Sequence, residues 1–335
     1  MVYKNIEIHN VGEIVENENG SISWIRVPCS VYDKIESEQG KNMCCGATGV
    51  ELRFVMESDS VTLKMRTRGK NGIFHVYRGS IQGGWEDHEI DKVVTNEVAD
   101  YVIKKSENTE SLKRISNDFN QPFSPEVVRV IFDRGTYELL DVIGDVEPPA
   151  KEQLPQKTLL AYGSSITHGS NSIDMSHSWV SVLAHNLRVD ARNLGMAGSC
   201  LMEPEIVEYI ASEGEQNKWD IAVLELGINA LGWDSDKILD RVSNTLEQIA
   251  GRNQKKPIYV ISPFYGYDDY KNEGRAEKWR KLIEKTICDL GFGNMTYING
   301  LDLLGDMSLI SSDESHPNIY GVAQIAERLT KIIKG

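Results

Sequence analysis

The sequence predicts an antiparallel β-sandwich followed by an open α/β domain built on a parallel five-stranded sheet. Three observations carry this. The apolar period changes part-way along the chain, a proline-rich charged stretch marks the change, and small residues recur immediately after the candidate strands of the second half.

From residue 1 to 146 the apolar residues alternate or form short runs. Val50, Leu52 and Phe54 alternate with polar neighbours, as do Val61, Leu63 and Met65, while 73–77, 101–103 and 127–132 are short β-rich runs. Gly, Asn, Asp and Ser interrupt them often. Many short strands with such turns predict a sandwich or jelly roll rather than helix-linked parallel units, so this half is read as mostly strand.

Glu147-Pro148-Pro149-Ala150-Lys151-Glu152-Gln153-Leu154-Pro155 then places three prolines among charges, a composition hostile to helix and to central strand. The reading is therefore a domain over 1–146, a linker over 147–156 and a second domain over 157–335. Strands are expected at 158–162, 191–194, 221–226, 258–261 and 295–298. Between them, 179–187, 238–249 and 279–290 carry apolar residues at intervals of three and four, and Val322, Ile325, Ala326, Leu329, Ile332 and Ile333 mark a last helix. Strand and helix in alternation give a parallel sheet with helices on both faces, which places ligands at the carboxyl ends of the strands.

Composition narrows the function. Of 335 residues, 40% are hydrophobic and 26% charged, an ordinary globular balance. A net charge of -14 repels a phosphate backbone and argues against nucleic acid as a partner. The chain shows neither a long apolar run nor a secretory leader, so no membrane insertion and a cytoplasmic location are expected. Cys29, Cys44, Cys45, Cys200 and Cys288 lack C-x-x-C spacing and are read as reduced thiols, with neither a disulfide framework nor a zinc site.

The chemistry-bearing residues lie in loops after strands. Gly163-Ser164-Ser165-Ile166-Thr167-His168-Gly169 follows the first strand of the second half. Small residues at a strand-to-helix turn let a serine hydroxyl project beside backbone N–H groups, although the same stretch serves equally as a plain turn or helix cap. Near the other end, Asp313-Glu314-Ser315-His316-Pro317-Asn318 puts an aspartate three residues before a histidine, close enough to fix its tautomer and leave one nitrogen to take a proton from serine. Its alternative is a surface-loop histidine ahead of a helix. Asn193 to Gly198 brings glycine backbone to the sheet edge, and Gly227-Ile228-Asn229 brings a side-chain amide; each also reads as a turn.

In combination these blocks resemble the SGNH hydrolases, also called the GDSL family, over residues 157–335. The resemblance implies a three-layer α/β/α flavodoxin-like domain, Ser165 as nucleophile, His316 as general base and then acid, and Asp313 as the orienting carboxylate. It also implies an oxyanion hole from the N–H of Ser165, the N–H of Gly198 and the amide of Asn229, with no metal or cofactor. Two positions depart from the pattern: Ser164 stands where the family has aspartate, and Ala230 follows Asn229 where many members carry aspartate.

A sandwich ahead of such a domain also resembles two-domain bacterial carbohydrate O-acetyl esterases. The implied activity is hydrolysis of an O-acyl ester, O-acetyl on a small molecule or oligosaccharide. Alternatives are acyl transfer, lysophospholipase or thioesterase activity, and a carbohydrate-binding protein with an inactive hydrolase domain. Trp24, Tyr77 and Trp85 are aromatic candidates for stacking on a sugar, against the plainer reading of sandwich core.

Overall fold

Alternation in the first half becomes two antiparallel sheets. In the computed structural model, which describes residues 1–84, 89 and 92–335, one sheet runs Val2–Tyr3, Ile6–His9, Glu51–Met56, Val127–Phe132, Gly72–Arg78, Ile81–Gln82, with Val146–Glu147 and Lys92–Val94 pairing alongside. The other runs Ala99–Lys104, Ser60–Thr67, Tyr137–Ile143, Ile22–Ile25, Glu13–Glu16. Ser60–Thr67 shows why they face one another: every second residue is buried, and Val61, Leu63 and Met65 pack with Leu52, Phe54 and Val130 of the first sheet in one core. Trp24 belongs to that core, 2% exposed with its ring 5.4 Å from that of Phe132, so it is unavailable for stacking on a sugar. Tyr77 is half-buried under the Arg129 guanidinium, and Trp85 lies outside the described residues.

Three helices interrupt this mostly strand half, Cys29–Tyr32, Glu38–Cys45 and Thr109–Asp118, in stretches to which the sequence reading assigned no element. The first is a single turn, and the other two are short and mostly polar, with Met43 in one and Leu112 and Ile115 in the other as their large apolar residues. Cys44 lies in the last turn of the second of them, buried, with its carbonyl accepting the Arg26 N–H. All five cysteines are free thiols.

The chain divides into two compact units, Met1–Tyr32 with Cys44–Gln156 and Arg188–Asp190, and Asp33–Met43 with Lys157–Leu187 and Ala191–Gly335. In the first unit the outer face of Glu51–Met56 carries buried charge. Arg53, fully buried, grips both oxygens of Asp190 at 2.7 Å and reaches Glu51 with Nε at 2.8 Å, while Arg129 forks onto the same Glu51. Phe123 lies beneath both guanidiniums, 4.0 Å from that of Arg129. Burial pushes the Glu51 carboxyl up, but Arg129 and Arg53 outweigh it and hold the group at about 2.

In the second unit the five-stranded sheet runs Asp190–Gly195, Thr158–Gly163, Ile221–Glu225, Ile258–Ile261, Met295–Ile298, the doubly wound order in which the first strand lies between the second and third. The registers from Thr158–Gly163 to Met295–Ile298 are parallel. Each strand lies within two residues of its expected place at either end. The longer helices are Trp179–Leu187, Pro204–Glu215, Ser235–Leu246, Arg275–Leu290 and Ile319–Lys334. Pro204–Glu215 was not among the expected helices, although Ile206, Val207, Ile210 and Ala211 keep the spacing of three and four. Arg192 and Lys218 partner the buried Glu213 carboxylate, and Gly214 packs where a Cβ would meet Asn253 and Trp219. Among the described residues no helix is long and apolar enough to cross a membrane.

The buried cluster yields a stability test. Arg53→Ala removes both guanidinium bonds from the buried Asp190 carboxylate and one from Glu51, and urea unfolding should show a loss of about 3–5 kcal/mol. An unchanged midpoint would mean that the cluster contributes nothing to the folded state.

Candidate active site at the carboxyl edge of the parallel sheet

Thr158–Gly163 ends in a turn with little spare volume. A Cβ on Gly163 would lie 2.2 Å from Thr167 Oγ1 and 2.5 Å from Glu225 Oε2, so only glycine lets the chain turn here. Ser164 caps the four-residue helix Ser165–His168, its hydroxyl accepting the Ile166 N–H at 3.2 Å. The neighbouring strand presses on this turn as well. A Cβ on Gly195 would sit 2.3 Å from the His168 nitrogen, and Asn193 donates to the Thr167 carbonyl at 2.8 Å while accepting the Gly195 N–H. Ser165 is thus fixed by its surroundings and only 9% exposed.

His316 reaches it from the loop before the last helix. Its Nε2 lies 2.7 Å from Ser165 Oγ and its Nδ1 2.8 Å from Asp313 Oδ2. Asp313 also accepts the N–H groups of Ser315 at 3.1 Å and His316 at 2.9 Å, and the Asn171 amide at 2.7 Å. Burial raises this carboxyl, but the donors of His316, Ser315 and Asn171 outweigh it and hold the group well below the usual carboxylate range. An ionised acceptor at Nδ1 places the ring proton there, leaving Nε2 to accept from the serine hydroxyl.

The remaining two expected residues lie on the loops after the second and third strands. Gly198 has φ +70° and is exposed, and its N–H donates to no group among the described residues. Asn229 sits in the 3-10 turn Ile228–Ala230, after Gly227 at φ +105°. Its Oδ1 accepts the Cys200 N–H at 3.0 Å, so the carboxamide is oriented with Nδ2 on the opposite side. Met196 N–H donates to the Gly163 carbonyl at 2.8 Å and ties the Gly198 loop to the strand that presents Ser165. Ala230, in the position where aspartate was looked for, accepts the Trp279 indole N–H at 3.0 Å.

The family profile described as GDSL-like lipase/acylhydrolase matches residues 156–334, more than half of the chain. The chain belongs to that family. A search of curated protein sequences finds no match. Among solved structures, a salicylyl-acyltransferase from a tetracycline biosynthetic pathway is similar at TM-score 0.78 and 15% identity, covering 99% of this chain and 94% of that one. A family two carbohydrate esterase from Cellvibrio japonicus is similar at TM-score 0.67 and 13% identity, covering 98% and 94%. Another, from Clostridium thermocellum in complex with cellohexaose, is similar at TM-score 0.62 and 14% identity, covering 98% of each chain. At such identities the likeness is one of fold.

Two residues of this site escaped the sequence reading. Asn171, at φ +62° in the loop after the serine helix, is 142 residues from the carboxylate it holds, and nothing in its surroundings announces that role. Glu225 ends the third strand, fully buried in what reads as a core run. It accepts the Ser164 N–H at 2.6 Å and the Thr167 hydroxyl at 3.0 Å on one oxygen, while the other has no hydrogen-bond partner among the described residues. A carboxyl therefore still reaches this turn although position 164 is serine. Burial pushes it up to about 7 against the hydrogen bonds of Ser164 and Thr167.

Two outcomes follow from these neighbours. Asn171→Ala removes one charge-assisted hydrogen bond from Asp313 and should lower kcat for a Ser165-dependent reaction about five- to thirty-fold. For Glu225, the folded state binds the proton more tightly than the unfolded chain, so its contribution is fully present below about pH 4.5 and disappears as pH rises through about 7. Glu225→Gln mimics the protonated form at every pH. Wild type should therefore lose up to about 3 kcal/mol relative to the variant between about pH 5 and pH 8 in parallel unfolding series, and a pH-independent difference would contradict the shift.

Proposed function

We propose that this chain is a serine esterase that hydrolyses O-acyl esters, O-acetyl groups on a carbohydrate in particular, through an acyl-enzyme on Ser165. The observation that carries the reading is the continuous hydrogen-bonded series from Asp313 through His316 to a nearly buried Ser165 hydroxyl. A serine cap alone needs no imidazole at its Oγ, and a surface histidine needs no carboxylate with four donors behind it.

In this mechanism Ser165 Oγ attacks the ester carbonyl carbon while its proton passes to His316 Nε2. The carbonyl oxygen gains the negative charge and is met by the N–H of Ser165, the N–H of Gly198 and Nδ2 of Asn229. As the carbon–oxygen bond to the alcohol breaks, His316 returns the proton to the departing oxygen. Water then gives its proton to His316, attacks the acyl-enzyme and releases the acid, and the proton returns to Ser165. Asp313 stays ionised throughout and stabilises the imidazolium.

The carbohydrate assignment draws on the likeness to the two carbohydrate esterases, which extends over both units. Acyl transfer to an alcohol is the second reading, favoured by the likeness to the salicylyl-acyltransferase across 99% of this chain. The same acyl-enzyme serves both outcomes, and the acceptor decides between them. We place residues 1–146 as an accessory domain and the region from 157 onward as the catalytic one.

Ser165→Ala should reduce hydrolysis of p-nitrophenyl acetate by about four orders of magnitude or more and abolish labelling by a fluorophosphonate, and Asn229→Ala should cost about a hundred- to a thousand-fold in kcat. Full activity in Ser165→Ala overturns the assignment. Acetate released from acetylated oligosaccharides supports the carbohydrate reading. New ester formed with an added alcohol, at the expense of free acid, supports transfer.

A further inference from the structure

The loop that presents Gly198 is held by a segment more than 150 residues away in sequence. Asp33–Met43 falls between stretches of the sandwich but groups with the second unit. Within it Ile35 is buried, and the Ser37 hydroxyl accepts the Gly40 N–H at 2.8 Å, starting the helix Glu38–Cys45. The turn is tight, because a Cβ on Gly40 would lie 2.8 Å from both Ile35 Cγ2 and Ser37 Oγ.

Two contacts join this segment to the loop. Gln39 Nε2 donates to the Ala197 carbonyl at 3.1 Å across a separation of 158 residues, and the Glu36 N–H donates to the Glu203 carboxylate. Gln39 also lies over the open side of Gly198, where an added Cβ would come 3.7 Å from Nε2 and 3.9 Å from Cγ.

The Ala197 carbonyl and the Gly198 N–H belong to one peptide unit. That unit is planar and trans, so its C=O and N–H point in opposite directions, and fixing one fixes the other. Nearby N–H groups are already committed: Met196 to the Gly163 carbonyl, Ser199 to the Met196 carbonyl and Cys200 to Asn229. Left alone, the 197–198 peptide has a glycine on one side and a hydrogen-bond acceptor free to rotate toward water.

We propose that Gln39 is a positioning residue for ester cleavage: by holding the Ala197 carbonyl it aims the Gly198 N–H at the oxygen that becomes negatively charged on the Ser165 adduct. The proposal rests on the esterase reading above. It assigns to a polar residue from the sandwich half of the sequence a role in the transition state, and it sets Gln39 apart from a substrate contact, which would act on the ground state equally.

The test uses Gln39→Ala and Gln39→Met in the full chain, both at an exposed side chain. With p-nitrophenyl acetate, kcat should fall about tenfold with KM unchanged and the melting temperature unaltered. Phenylboronic acid forms a tetrahedral adduct on the serine, and its inhibition constant should rise by about the same factor as kcat falls. Unchanged kcat, a rise in KM alone, or a fall in kcat with boronate inhibition intact each overturns the proposal. Ser165→Ala is run alongside. If it retains activity, the esterase reading falls and this proposal with it; if it is inactive while Gln39→Ala equals wild type, only the proposal falls.

Discussion

The second unit is organised around a turn with no free volume. Gly163 cannot carry a side chain because Thr167 and Glu225 occupy the space, and Gly195 cannot because the backbone of His168 occupies it. Asn193 and Glu225 then hydrogen-bond the turn from the strands on either side. A hydroxyl in such a place loses little entropy on reaction because its freedom was removed on folding. The packing density that fixes Ser165 also explains why positions 163 and 195 are glycine.

Buried charge is used in opposite ways in the two units. In the sandwich, Glu51 and Asp190 are ionised because Arg53 and Arg129 meet them with bidentate geometry, and that stabilisation is lost as pH falls toward the depressed values of the carboxyls. Beneath the Ser165 turn, Glu225 has hydroxyl and amide donors but no cation among the described residues, and burial dominates. The first arrangement holds charge in place; the second keeps a proton near neutrality beside the Ser165 turn.

Serine, histidine and aspartate were legible because local chemistry exposed each one: a serine between small residues after a β-rich run, and an Asp-x-x-His pair before an amphipathic helix. Their partners were not. Asn171 looks like any loop asparagine, Glu225 like an interruption in a core strand, and Gln39 like a surface residue of a different domain. Each is joined by hydrogen bonds to residues about 60 to 160 positions away, a separation at which no periodic pattern survives.

The sequence by itself determined the change from alternating to strand–helix period, the five strands of the parallel sheet, and the order of the four loops at its edge, since these follow from side-chain spacing along a local backbone. Tertiary structure alone decided that Asp33–Met43 joins the second unit, that Trp24 is core, and that Glu225 is fully buried. Those outcomes depend on which surfaces meet when the chain closes on itself, and burial, unlike periodicity, is a property of the whole fold.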